Sequence, residues 1–185
     1  MRKPVVIAVL AAPLLAGAAF AQTKVVNKAI TEPEVIAAQK GWCSALVSIS
    51  DTYAAQGLPA AKQLAAKVVD EAYGYQMGAV LFKPTLAAAP QSFRTTREGA
   101  ISYFVGGDQA FPHDHGFATK NWKKCDIENA AVFIAGDTAT TMGNVKFTDK
   151  DGKVTVVDKT WEFVKDGGGK LRIMVHHSSL PFVGD

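Results

Sequence analysis

Residues 171–182, LRIMVHHSSLPF, set two imidazoles and two hydroxyls side by side at the end of an apolar segment. A free imidazole titrates at about 6.5 and can relay a proton, and hydroxyls supply donors to an oxygen that gains charge. The segment alternates as a strand does, Ile173 and Val175 on one face and Arg172 and Met174 on the other, because successive side chains point to opposite sides. That period carries His177 and Ser179 onto the Ile/Val face, the face predicted to be turned inward. Polar groups in an apolar lining need partners or a ligand, so His177 and Ser179 are the candidate site pair. A bulge would flip the register and put His176 and Ser178 in their place. Pro181 has no N–H to donate and ends the ladder.

Other residues with chemistry to offer are scattered. His113, Asp114 and His115 share a Pro-containing loop over residues 108–120 and could contribute metal ligands, although no third ligand stands at helical spacing. Arg94 and Arg97 flank a helix start, where they could steer an anion or simply be solvated. Cys43 and Cys125 are the two cysteines, and they either form one bridge or lie buried separately. They lack the close spacing of a zinc site. Trp42, Trp122 and Trp161 read as core or interface.

These side chains need a frame. Residues 1–21 read as a secretory signal peptide: Arg2 and Lys3, an apolar run, then the small-x-small site Ala19-Phe20-Ala21. The run is too short to span a bilayer. Losing Arg2 and Lys3 takes the 20 basic residues to 18, against 17 acidic, and such a balance argues against nucleic acid or an anionic membrane as partner. Residues 22–185 have the length and apolar content of one domain. Thr31-Glu32-Pro33-Glu34 is a capping box, and Val35, Trp42, Leu46, Ile49 and Tyr53 follow at helical steps up to Gly57. A second helix starts after Pro59 and ends at Gly74. Residues 80–82 predict a short buried strand. Thr96 caps a short helix over 97–105, closed by Gly106-Gly107. From Asn121 the pattern becomes four strands, 122–133, 138–148, 153–165 and the segment that opens at Leu171, joined by turns at Gly136-Asp137, 149–152 and 166–169. Helices followed by an antiparallel meander define an α+β domain, with the helices on one face of a strongly curved sheet and the last strand through its middle.

At this level the chain resembles the nuclear-transport-factor-2-like (SnoaL-like) fold, a cone-shaped α+β architecture. Its ending HHSSLP resembles the His-Arg-Ser-x-x-Pro close of the calcium/calmodulin-dependent kinase II association domain. Tyr73-Gly74-Tyr75, VLFKPT at 80–85, REGAISYFVGG at 97–107, DHGF at 114–117 and HHSSLP at 176–181 together resemble the bacterial iota-class carbonic anhydrases, over essentially the whole mature chain. The resemblance implies reversible hydration of CO2 to bicarbonate, in a pocket lined by a threonine, a tyrosine, a histidine and a serine. These match Thr85, Tyr103 and, by the strand period, His177 and Ser179, with His176 and Ser178 as the register alternative. It also implies a site that works without a metal; were zinc present, His113 and His115 would be its source. A periplasmic or secreted homodimer is the expected state. A non-catalytic anion-binding or metabolite-binding pocket, or an oligomerisation domain, would use the same fold.

Overall fold

The computed structural model describes residues 28–184, so the signal-peptide expectation lies outside the described residues. Helix α1 runs Glu32–Ala72. Its start is the capping box read from the sequence: the Thr31 backbone N–H donates to the Glu34 carboxylate at 2.8 Å. At Gly57 the backbone swings to φ 79°, ψ −175°, a left-handed value that only glycine adopts at little cost, and α1 breaks there into two segments. Pro59 sits just beyond, where its missing N–H costs nothing. Both predicted helices are therefore present, joined end to end.

Strand β1 is Leu81–Lys83 and helix α2 is Arg97–Val105, with Thr96 Oγ1 accepting from the Gly99 N–H at 3.2 Å. A short 3-10 turn spans Phe117–Thr119. Four long strands follow: β2 Trp122–Ala135, β3 Thr138–Asp149, β4 Val154–Lys165 and β5 Leu171–Ser179. The five form one sheet in the order β1-β5-β4-β3-β2. The last four pair antiparallel as a meander, whereas β1 pairs with β5 in parallel. The fold class is α+β as expected, with a correction: the sheet is mixed rather than antiparallel. The long crossover between β1 and β5 allows the parallel pairing that a tight hairpin forbids. The correction matters to function, because it gives β5 a neighbour on each side at its polar end.

The core fills the space between α1 and one sheet face. Trp42, Leu46 and Ile49 from α1 meet Val157, Trp161 and Phe163 from β4, Phe147 from β3 and Ile173 from β5, all buried. Trp42 lies edge-on to Trp161, with centroids 5.5 Å apart. Cys43 and Cys125 are disulfide-bonded with Cα atoms 5.3 Å apart, which resolves the open pairing and ties α1 to β2. A bridge closing a separation of 82 residues removes much freedom from the unfolded chain. Its reduction should lower stability by about 2–5 kcal/mol. Calorimetry with and without reductant should show a melting point lower by roughly 10 °C; an unchanged melting point would make the bridge structurally idle.

Candidate active site

The polar end of β5 is positioned by a defect in its ladder. Phe163 faces Ile173 and Glu162 faces Val175, so one step on β4 spans two on β5, and Met174 is the extra residue. The cause lies at the end of α1. Tyr73 bridges to Ile173, the Gly74 N–H donates to the Ile173 carbonyl at 3.1 Å, and the Met174 side chain occupies the space where a Cβ on Gly74 would stand. The bulge shifts the phase of everything after it. Ile173, His176 and Ser178 are buried, whereas His177 is exposed and Ser179 half-exposed. This corrects the orientation expected from strict alternation: His177 and Ser179 do not face the core, and His176 and Ser178 do.

Thr85 and Tyr103 come to the same place. Thr85 follows the buried Pro84 at the end of β1, and the parallel pairing of Phe82 with His176 and Lys83 with His177 carries it alongside β5. The Thr85 hydroxyl donates to Ser178 Oγ at 2.7 Å, and Lys83 Nζ donates to the Ser178 carbonyl at 3.1 Å. Tyr103, on the inward side of α2, accepts from the Leu86 N–H at 3.4 Å. Burial pushes its phenol well above the ordinary range, opposed by the Leu86 N–H and the Thr85 hydroxyl. It therefore stays a proton donor across any working pH. Three hydroxyls from three elements converge here, beside a cavity of about 50 Å³ lined by Leu86, Tyr103, Asp114 and Phe117.

The imidazole behaves differently from the sequence expectation. Both ring nitrogens of His176 are already engaged: Nδ1 with the Tyr73 hydroxyl at 2.8 Å and Nε2 with Lys159 Nζ at 2.7 Å. Phe82 stacks on the ring with centroids 4.3 Å apart. Burial, with Lys159 and His177 nearby, pushes His176 well below its usual range and keeps it neutral. Beyond it, Trp42 Nε1 donates to Tyr73 Oη at 2.9 Å. Trp42, Tyr73, His176 and Lys159 thus form one buried hydrogen-bonded chain. Lys159 and Tyr73 were missed as site residues. Lys159 was nevertheless visible, because Val157, Lys159, Trp161 and Phe163 share one face of β4 and a lysine interrupts an apolar stripe.

The remaining candidates fall elsewhere. Arg94 is neither solvated nor steering: it is buried and donates from Nη2 to Asp114 Oδ1 at 2.6 Å, with its guanidinium over the Phe111 ring. Arg97 forks onto Asp70 at the surface. His113 and His115 are exposed on the rim of the small cavity. Among the described residues no group of three His, Cys, Asp or Glu side chains is placed to hold a metal ion.

The helix-then-meander α+β fold is similar to that of a nuclear-transport-factor-2-like protein of unknown function from Pseudomonas putida, with a TM-score of 0.50 at 13% identity, covering 82% of this chain and 87% of that one. Residues 33–180 match the metal-independent carbonic anhydrase family, and the chain belongs to that family. A metal-independent carbonic anhydrase from Nostoc sp. is 66% identical over 161 residues, 87% of this chain and 78% of that protein. The crystal structure of a cyanobacterial iota-carbonic anhydrase complexed with bicarbonate superposes with a TM-score of 0.86 at 65% identity, covering 89% of this chain and 100% of that one. A protein from Xanthomonas campestris described as a calcium/calmodulin-dependent protein kinase II association domain gives 0.53 at 26% identity, covering 86% and 97%.

Proposed function

We propose that the protein is a carbonic anhydrase that interconverts CO2 and bicarbonate without a metal, at the hydroxyl cluster of Thr85, Tyr103 and Ser178. The observation that carries this reading is the Thr85 to Ser178 hydrogen bond across the parallel junction of β1 and β5, with the Tyr103 hydroxyl held beside it. Hydration moves charge onto an oxygen of CO2 as water attacks its carbon. Donors fixed in advance, with Ser178 and Tyr103 buried and Thr85 half-buried, stabilise that charge with little reorganisation. His176, neutral and locked at both nitrogens, supports the cluster from beneath by holding β5 against Phe82 and Tyr73. Family membership and the bicarbonate complex of the cyanobacterial relative support the same substrate.

Stopped-flow CO2 hydration on the mature protein, with and without chelator, tests the reading. Activity unchanged by chelation is the expected result; folded protein with no activity would sink it. We read the protein as exported, to the periplasm or beyond, supported by the Cys43 to Cys125 bridge, which an oxidising compartment permits. We also read it as a homodimer, supported by Phe133 and Met142 standing exposed on the outer sheet face. Light scattering of twice the protomer mass is the expected result.

A further inference from the structure

The fate of the proton is unassigned by the hydroxyl cluster. Converting CO2 and water into bicarbonate releases one proton, and leaving a lone anion in a buried site is costly. A group that takes the proton in place would avoid both difficulties. His176 is not that group, since neither ring nitrogen is free. Tyr103 and Tyr73 are held in their protonated forms by burial and can take up no further proton.

Lys159 meets the requirement. It lies on β4 directly opposite Ser178, both buried and on the same face. Residues so placed hold their Cβ atoms about 4.5–5.5 Å apart, so the lysine stem starts beside the hydroxyl cluster. Its amine lies over the rings of both Trp42 and Trp161, 5.0 and 5.3 Å from their centroids. The groups that face it are His176 and Ser178 from β5, Trp42 and Tyr73 from α1 and its end, and Trp161 from β4; Lys83 from β1 and Tyr103 from α2 meet the same cluster. Among the described residues no carboxylate pairs with it, and the buried Asp114 is neutralised by Arg94. Desolvation pushes Lys159 down to about 7, so near neutrality it spends much of its time as an uncharged amine.

The hydrogen-bonded chain is consistent with that state. Which partner donates in the Tyr73–His176 and His176–Lys159 bonds depends on the tautomer of the ring. With the imidazole proton on Nδ1, a neutral Lys159 donates an N–H to Nε2 and keeps its lone pair free.

We propose that Lys159 is the proton acceptor and counter-charge of the site, taking up the proton as bicarbonate forms beside Ser178 and then pairing with that anion. This rests on the carbonic anhydrase reading. In the step, the water oxygen bonds to the CO2 carbon, one C–O π pair moves onto oxygen, and the water proton passes to the amine lone pair. Neutral reactants become an ammonium–bicarbonate pair, and the buried site gains no net charge. Release of bicarbonate returns the proton to solvent.

Linkage makes the test independent of turnover. Titration calorimetry of the mature protein with sodium bicarbonate at pH 8, in two buffers of different ionisation enthalpy, should show nearly one proton taken up per anion bound. Affinity should fall about tenfold from pH 8 to pH 9. Lys159→Met, checked for fold by its melting curve, should bind bicarbonate at least tenfold more weakly at pH 8. Bicarbonate binding by the wild type with no buffer-dependent heat overturns the inference but leaves the anhydrase reading standing, as does wild-type affinity in Lys159→Met. Wild-type protein that binds no bicarbonate and hydrates no CO2 overturns both.

Discussion

Ser178→Ala should lower CO2 hydration by about 10²–10³-fold in kcat/KM, as loss of one preorganised donor does elsewhere. Ser179→Ala and His177→Ala should leave it within about twofold. The contrast follows from the bulge at Met174: Ser178 is buried and accepts from Thr85 at 2.7 Å, whereas Ser179 is half-exposed and His177 is exposed. Removing the Ser178 hydroxyl also leaves the Thr85 hydroxyl without its acceptor, so Thr85→Val should fall in the same range. Stopped-flow assays on all four variants, with circular dichroism to verify folding, decide the matter. Collapse in His177→Ala with full activity in Ser178→Ala would mean that the functional face of β5 is the opposite one.

Asp114→Ala should be among the most destabilising single changes in the chain. Arg94 and Asp114 are each 2% exposed in their side chains, and the bond between them is 2.6 Å long. Deleting the carboxylate strands a buried guanidinium whose Nε and Nη1 already lack partners among the described residues. Breaking a buried pair from one side typically costs about 3–5 kcal/mol. For a domain of this size that is a fall in melting point of roughly 10 °C or more. Replacing both partners, Arg94→Met with Asp114→Leu, removes the stranded charge and should regain much of the loss. Urea denaturation of the single and double variants measures it; equal stability of Asp114→Ala and wild type would show that the pair contributes nothing. Asp114 also lines the cavity beside Tyr103, so the single variant should lose activity as it loses stability.

The elements were legible because their signals are local. The capping box at Thr31, the N-cap at Thr96, Gly57 before Pro59 and the glycine at each hairpin turn act within a few residues, and each fixed a boundary. The family motifs pointed to Thr85 and Tyr103, and the structure brings both beside Ser178. What was not legible depends on partners distant in sequence. The Met174 bulge requires Gly74 and Tyr73 to reach β5, and nothing in LRIMVHHSS announces that contact. Strict alternation therefore put His177 and Ser179 on the core side, where the structure puts His176 and Ser178. The parallel partner of β5 escaped for the same reason: residues 80–82 look like a buried strand wherever they pair. Arg94 looked solvated because its carboxylate lies 20 residues away in a loop. Lys159 is the one omission that pattern alone could have supplied.

The parallel pairing of β1 with β5 has a consequence for how the protein matures. Thr85 and Ser178 are 93 residues apart, and although β1 and β5 are neighbours in the sheet, their contact waits until the chain has passed through β2, β3 and β4. Contacts of such long range form late, after shorter loops have closed. A chain growing from its N-terminus would complete α1, α2 and three hairpin strands while possessing no working site at all. Fragments ending before Ser178 should be inert rather than weakly active. Turnover can thus begin only in molecules whose last strand has docked, and a single activity assay reports on completion of the whole fold.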